Sequence, residues 1–144
     1  MIVAQVLKTK GSQVVSVRAE DSIASITRTL AQHRIGAVLV LEGDQVLGIV
    51  SERDIVRALA ALGEAVMRMT AGQLMTRVLF TAGPASTIQD ALQLMTDRRV
   101  RHLPVLHADG TLAGMVSIGD LVKARIAEAE DEAEALKSYV ATAG

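Results

Sequence analysis

Two serine–aspartate pairs, Ser51 with Asp54 and Ser117 with Asp120, carry the chemistry this chain could most readily use. Each closes the same phrase, Gly-apolar-apolar-Ser-x-x-Asp. Residues 48–54 read Gly-Ile-Val-Ser-Glu-Arg-Asp, and residues 114–120, which begin 66 positions later, read Gly-Met-Val-Ser-Ile-Gly-Asp. A carboxylate can accept two hydrogen bonds from vicinal hydroxyls. A helix N-terminus offers unpaired N–H groups and partial positive charge, so phosphate is favoured there. Ser-x-x-Asp at a strand-to-helix junction sets both chemistries on one edge. The same spacing is also a good helix start that needs no ligand. Repetition in register, each time behind a Gly-apolar-apolar strand end, favours binding, and the two roles are compatible. The doubling suggests two related binding sites rather than one catalytic centre.

Arg53 follows Glu52 inside the first phrase, where the second has Gly119. It reads either as a surface residue of a helix or as a group turned towards phosphate. Lys8, Lys10 and Gly11 form a Lys-Thr-Lys-Gly-Ser loop that is either solvated or closes over a ligand in the first site. His33, His102 and His107 show no i,i+4 pairing and have no cysteine beside them, so no metal centre is expected. Gly43 and Gly48 have the glycine spacing of a phosphate loop, but Ile49-Val50 follows instead of Lys-Ser/Thr. No positioned nucleophile–base pair supports an enzyme.

The elements that position these residues also occur twice. Ile23 and Ile88 each open an apolar run at helical spacing. Asp21 or Ser22 is expected to cap the first helix, and Ser86, with Gln89 closing a capping box, the second. Basic stretches follow, His33-Arg34-Ile35-Gly36 and Arg98-Arg99-Val100-Arg101. Strands are predicted over 37–41 and 103–106, then turns at Glu42-Gly43-Asp44 and His107-Ala108-Asp109-Gly110. Strands over 45–50 and 111–116 run into the repeated phrase, and helices over 52–62 and 118–137 leave it. Ahead of each unit lie a short helix (4–7, and 72–75 behind the cap Thr70) and a strand (14–17 and 78–81). The order is α-β-α-β-β-α, twice. Each unit of about 60 residues would be marginal alone, so the two should pack sheet to sheet. Residues 63–69 are helix-compatible, which predicts rigid docking. The fold class is α/β (α+β), with units at 2–63 and 70–126 and a helical extension at 127–144.

The composition agrees with a small binding module. Half of the 144 residues are hydrophobic, while Phe80 and Tyr139 are the only aromatics, so aliphatic side chains must fill the core. A net charge of −1 gives no basic field for nucleic acid or a membrane surface. Absence of cysteine rules out disulfides and thiol chemistry. The first eight residues lack the basic region and cleavage site of a leader, and no apolar run approaches the ~20 residues of a membrane span. The expectation is a soluble, cytoplasmic protein. The acidic residues of 127–144 read as a solvated helix, with Leu136, Tyr139 and Val140 as one apolar stripe open to contact with a dimer partner.

On these residues the sequence resembles a tandem pair of CBS domains, a Bateman module. The resemblance covers about residues 2–126, with Leu103-Pro104-Val105 on the middle strand of the second copy. The first copy departs from that strand pattern, reading Val38-Leu39-Val40 without proline. The resemblance implies a non-catalytic regulatory module. Two clefts between pseudo-symmetric units would hold adenosine ligands: AMP, ADP, ATP or NAD(H), with S-adenosylmethionine less favoured. It implies ribose contacts for Asp54 and Asp120 and ribose or phosphate contacts for Ser51 and Ser117. It extends the sites to Lys10, Ile35, Gly36, Ala37, Arg53, Thr81, Val100 and Gly119. Arg101 and His102 would reach phosphate, where the first copy has the small Gly36 and Ala37. A homodimer and an effector protein are the implied partners. The rival reading is a ligand-independent dimeric interaction module.

Overall fold

The computed structural model describes residues 1–11, 13–78 and 80–143. Helix α1 (Val3–Lys10) leads to strand β1 (Ser16–Val17), α2 (Ile23–His33), the hairpin β2 (Ala37–Glu42) and β3 (Gln45–Ser51), and α3 (Glu52–Leu62). A 3-10 helix, Gly63–Arg68, connects to α4 (Ala71–Leu74), β4 (Thr76–Arg77), α5 (Ile88–Arg98), the hairpin β5 (His102–Leu106) and β6 (Leu112–Ser117), and α6 (Ile118–Ala143).

The two halves follow one plan down to individual hydrogen bonds. Both hairpins are antiparallel and both slip register once, at Val40/Leu41 and at Val105/Leu106. The Glu52 N–H donates to the Gly36 carbonyl at 2.8 Å, and the Ile118 N–H to the Arg101 carbonyl at 2.8 Å. Each copy thereby ties its basic stretch to the helix that begins with Ser-x-x-Asp. Arg34 and Arg99 end α2 and α5 in the left-handed conformation, with φ of 53° and 56°. That is uncommon for a side-chain-bearing residue but usual for a residue closing a helix.

Each leading helix packs into the other copy's core. Val3, Val6 and Leu7 of α1 are buried with Ile88, Met95, Leu103, Val105, Val116 and Leu121. Val66 and Ala71 are buried with Val17, Ile23, Ile26, Val38 and Val50. Matching backbone bonds fix the exchange: Val3 and Ala4 N–H donate to the Ser86 and Pro84 carbonyls, and Ala71 and Gly72 N–H to the Asp21 and Ala19 carbonyls. Strand β4 also crosses, pairing antiparallel with β3. These exchanged segments interlock the halves.

The glycine of the repeated phrase has a packing role here. A Cβ on Gly48 would lie 2.7 Å from the Thr76 carbonyl oxygen, and one on Gly114 2.8 Å from the Leu7 side chain. Both glycines admit the crossing segment of the opposite half.

Local expectations are corrected at the α5 cap, the strand over 14–17 and the end of the last helix. Thr87, not Ser86, caps α5, its hydroxyl accepting the Asp90 N–H at 3.0 Å. Ser86 instead accepts the Gly83 N–H at 2.9 Å, within the turn that α1 docks against. The strand expected over 14–17 shortens to Ser16–Val17. The one expected over 78–81 includes Leu79, outside the described residues; pairing flanks it, at Thr76–Arg77 and at Ala82, which bridges Val105. The last helix runs on to Ala143, past the expected residue 137.

Candidate functional site

Both Ser-x-x-Asp phrases fold into reciprocal capping boxes. The Ser51 N–H donates to Asp54 Oδ2 at 2.9 Å, and the Asp54 N–H to Ser51 Oγ at 3.1 Å. In the second copy the Ser117 N–H donates to Asp120 Oδ2 at 2.8 Å, and the Asp120 N–H to Ser117 Oγ at 3.1 Å. The capping reading therefore holds for both pairs. It also means that each carboxylate is pinned, half-buried, at a helix N-terminus.

The surroundings of the two boxes differ. The first opens into a cleft of about 490 Å³ lined by residues of both copies. The first copy contributes Gly36, Ile49 and the run Ser51–Glu52–Arg53–Asp54, with Arg57 one turn on. The second contributes Arg99, Val100, Arg101 and His102, and Thr76 closes one side. Four arginines face two carboxylates, Glu52 and Asp54, so the lining carries excess positive charge. An apolar recess of about 120 Å³, lined by Ile49, Val78, Phe80, Val100 and Pro104 among others, shares four residues with this cleft. Positive charge and an apolar slot thus lie side by side.

At the second box Lys10 is already in place. Its Nζ donates to Asp120 Oδ2 at 2.6 Å and to the Met115 carbonyl at 2.9 Å. Burial pushes the Asp120 carboxyl up, but the Lys10 ammonium and the Ser117 N–H outweigh it and hold the group below its ordinary pKa. The adjoining recess, about 580 Å³, is lined by Lys8, Lys10, Asp120, Lys123 and smaller residues of α1 and α6. It is the larger of the two, yet its acid is paired. Among the described residues Asp54 enters no ion pair.

Several expected positions move. Lys8 and Lys10 form the last turn of α1 rather than a loop over the first site, and Lys10 serves the second copy's aspartate, because α1 crosses over; Ser12 lies outside the described residues. Arg101 and His102 face the first copy's Ser51 and Asp54, so Arg53 and Arg101 share one cleft instead of marking two. Ile35 lines a separate surface recess between α2 and α3. Ala37 is buried in β2, paired with Ser51. Thr81 is exposed and does not line the cleft. Ser117 is half-buried and Gly119 exposed, and neither lines the recess beside Asp120. Sequence reasoning missed Arg57 and Arg99. Arg57 lies four residues after Arg53, hence on the same helix face. Arg99 lies in a basic stretch read only as a helix end.

His102 sits between the two sites. Burial is the main reason its imidazole is held below its ordinary pKa, and the Lys10 charge adds to this, while Asp120 and Glu52 pull the other way. A neutral imidazole in a cationic cleft can gain a proton when an anion arrives.

The CBS-domain family model matches residues 3–61 and again 71–127. The chain is similar to the mitochondrial CBS domain-containing protein CBSX3 of Arabidopsis thaliana, 34% identical over 96% of this chain and 71% of that one. Its fold superposes on the crystal structure of the CBS-domain containing protein ATU1752 from Agrobacterium tumefaciens with a TM-score of 0.83 and 41% identity, covering 87% of this chain and 99% of that one. It also resembles the CBS domain protein PAE2072 from Pyrobaculum aerophilum complexed with AMP, with a TM-score of 0.74 and 24% identity over 83% of this chain and 89% of that one, a likeness of fold alone. With both repeats matched, the chain belongs to the CBS-domain family as a tandem pair.

Proposed function

We propose that this CBS pair is a regulatory module that binds a phosphorylated adenosine ligand in the cleft above Ser51 and Asp54. The observation that carries the reading is the convergence of the first copy's capping box with Arg99, Arg101 and His102 of the second. Asp54 offers carboxylate lone pairs to a ribose diol. The N-terminus of α3 and the arginines offer charge and N–H donors to phosphate. The neighbouring apolar recess suits a base edge. Four arginines favour AMP, ADP, ATP or NAD(H) over the sulfonium cation of S-adenosylmethionine. AMP occupies the Pyrobaculum protein of the same fold; the assignment here rests on this chain's own cleft.

A ligand that bridges both copies contacts two bodies at once, and it shifts their arrangement only by its differential affinity for the two states. An effector protein reads that shift. The serine hydroxyl and the aspartate carboxylate are both engaged in capping, which suits binding rather than turnover. We assign dimerisation to the exposed apolar side chains Val56, Leu59 and Leu62 of α3 and Ile118, Val122 and Ile126 of α6. Among the described residues no helix is long and apolar enough to cross a membrane.

The test is mass spectrometry of ligand released from the purified protein, followed by calorimetry with AMP, ATP, NAD and S-adenosylmethionine. Phosphorylated ligands should bind and remain chemically intact. No adenosine ligand binding at all would leave the ligand-independent interaction module.

A further inference from the structure

Helix α6 continues as one 26-residue helix well beyond the packed body of the module. Leu121 is buried in the second core and Ala124 packs against it. The opposite side carries Val122, Ile126, Ala129, Ala133, Leu136 and Val140, in alternating steps of four and three residues. All six are exposed, the four larger ones at 43%, 55%, 63% and 62%. At 100° per residue this stripe faces away from the chain's own core. Alternating steps of three and four residues are the seam of a two-stranded coiled coil.

The flanking charges choose the partner and its direction. With Ile126, Ala133 and Val140 at a and Val122, Ala129 and Leu136 at d, Arg125 and Glu132 fall at g, and Glu130 and Lys137 at e. In a parallel, in-register pair each g residue meets the e residue five positions on. Arg125 then faces Glu130 of the partner subunit, and Glu132 faces Lys137 of the partner subunit. Both contacts are between opposite charges, and twofold symmetry doubles them. An antiparallel pair with the same apolar overlap brings Lys123 against Lys137 and sets Glu130 and Glu132 each against its own copy.

From this pattern we infer that α6 pairs with α6 of a second copy of this chain as a parallel coiled coil, aligning the two modules side by side with their second repeats adjacent. The inference deepens the dimer reading above by fixing its direction and extending it along the C-terminal helix.

The chain has no cysteine, so single reporters can be placed in the whole 144-residue chain. Leu136→Cys, on the seam, should give a disulfide-linked dimer on mild oxidation. Ser138→Cys, on the outer face, should remain unlinked. Glu132→Lys should weaken dimerisation roughly tenfold through two lost attractions and two gained repulsions, and Glu132→Lys with Lys137→Glu should restore it. None of these residues belongs to the module's core or to the cleft. Failure of Leu136→Cys to link, or equal linking by Ser138→Cys, would overturn the coil. Light scattering on the same samples separates the two readings: a dimer mass then leaves the α3/α6 interface standing, whereas a monomer mass removes both. Ligand calorimetry on the variants reports the adenosine site independently.

Discussion

Asp54 caps α3, and the ribose grip proposed above is a second role that substitution can separate from it. In the structure its Oδ2 accepts the Ser51 N–H at 2.9 Å while its own N–H donates to Ser51 Oγ. Asp54→Asn keeps a side-chain oxygen for the Ser51 N–H and removes the charge. Asp54→Ala removes both. If Asp54 only caps α3, alanine costs about 1 kcal/mol, about 3 °C in Tm for a chain of this size, asparagine costs a few tenths, and neither changes ligand affinity. If it also grips a ribose, alanine loses charge-assisted bonds worth roughly 1.5–3 kcal/mol, whereas asparagine retains neutral ones worth roughly 0.5–1.5 kcal/mol. AMP should then bind about 10–100-fold more weakly to the alanine variant and about 5–10-fold more weakly to the asparagine variant. Asp120→Asn provides the comparison: Lys10 already holds that carboxylate, so AMP affinity at the first cleft should stay near wild type. The assay is calorimetry with AMP beside thermal unfolding of each variant. A lower Tm for Asp54→Ala with AMP affinity unchanged in both Asp54 variants would refute the ribose grip and leave capping as its only role.

Arg101→Ala should weaken AMP at least tenfold while leaving adenosine within about twofold, because only the phosphorylated ligand loses an ionic partner; equal losses in calorimetry would remove Arg101 from phosphate binding. His102 gives a pH signature. Its folded-state pKa is depressed, chiefly by burial, so its contribution to stability is fully present above the ordinary value of about 6.5 and is lost as pH falls below that towards the folded-state value. Unfolding titrations should show that slope, and His102→Gln should flatten it. Phosphate should draw a proton onto the same imidazole, so AMP affinity should rise as pH drops from 7.5 to 6, with proton uptake visible as a buffer-dependent calorimetric enthalpy. Gly48→Ala should destabilise by about 1–3 kcal/mol in denaturant melts, since its Cβ meets a backbone carbonyl at 2.7 Å, whereas Gly114→Ala meets only the movable end of Leu7 and should cost less.

Much of the fold was legible because the chain states it twice. Helix α3 has the predicted bounds, 52–62, and Thr70 caps α4 as read. In both places side-chain capping and apolar periodicity agree. The short leading strands were least legible: β1 has two residues, and the one-bridge contact at Ala82 leaves little for local pattern to specify. Ser86 and Thr87 are adjacent residues of equal capping chemistry; Thr87, which matches the cap Ser22 of α2, takes the role, while the Ser86 carbonyl accepts the Val3 N–H of α1.

The site was half legible for a physical reason. Ser51, Arg53 and Asp54 are contiguous, so spacing alone puts them at one helix end. Their partners come from the other copy, and alignment of the repeats hides this, because it pairs equivalent positions rather than facing ones. Arg101 aligns with Gly36, yet in the folded chain both line one cleft, and His102 lies close enough that a Cβ on Gly36 would meet its ring at 3.8 Å. Lys10 was misplaced for the same reason. It precedes the first copy in sequence, but the crossing of α1 delivers it to Asp120. In an interlocked pair each aspartate's surroundings are thus set largely by the opposite half. The asymmetry between the two sites then follows from two residues. Lys10 neutralises Asp120 from within the chain, whereas Gly119 removes from the second phrase the charge that Arg53 supplies to the first. The first cleft therefore combines an acid that enters no ion pair among the described residues with surplus arginine, the charge pattern that the proposed ribose phosphate would complement.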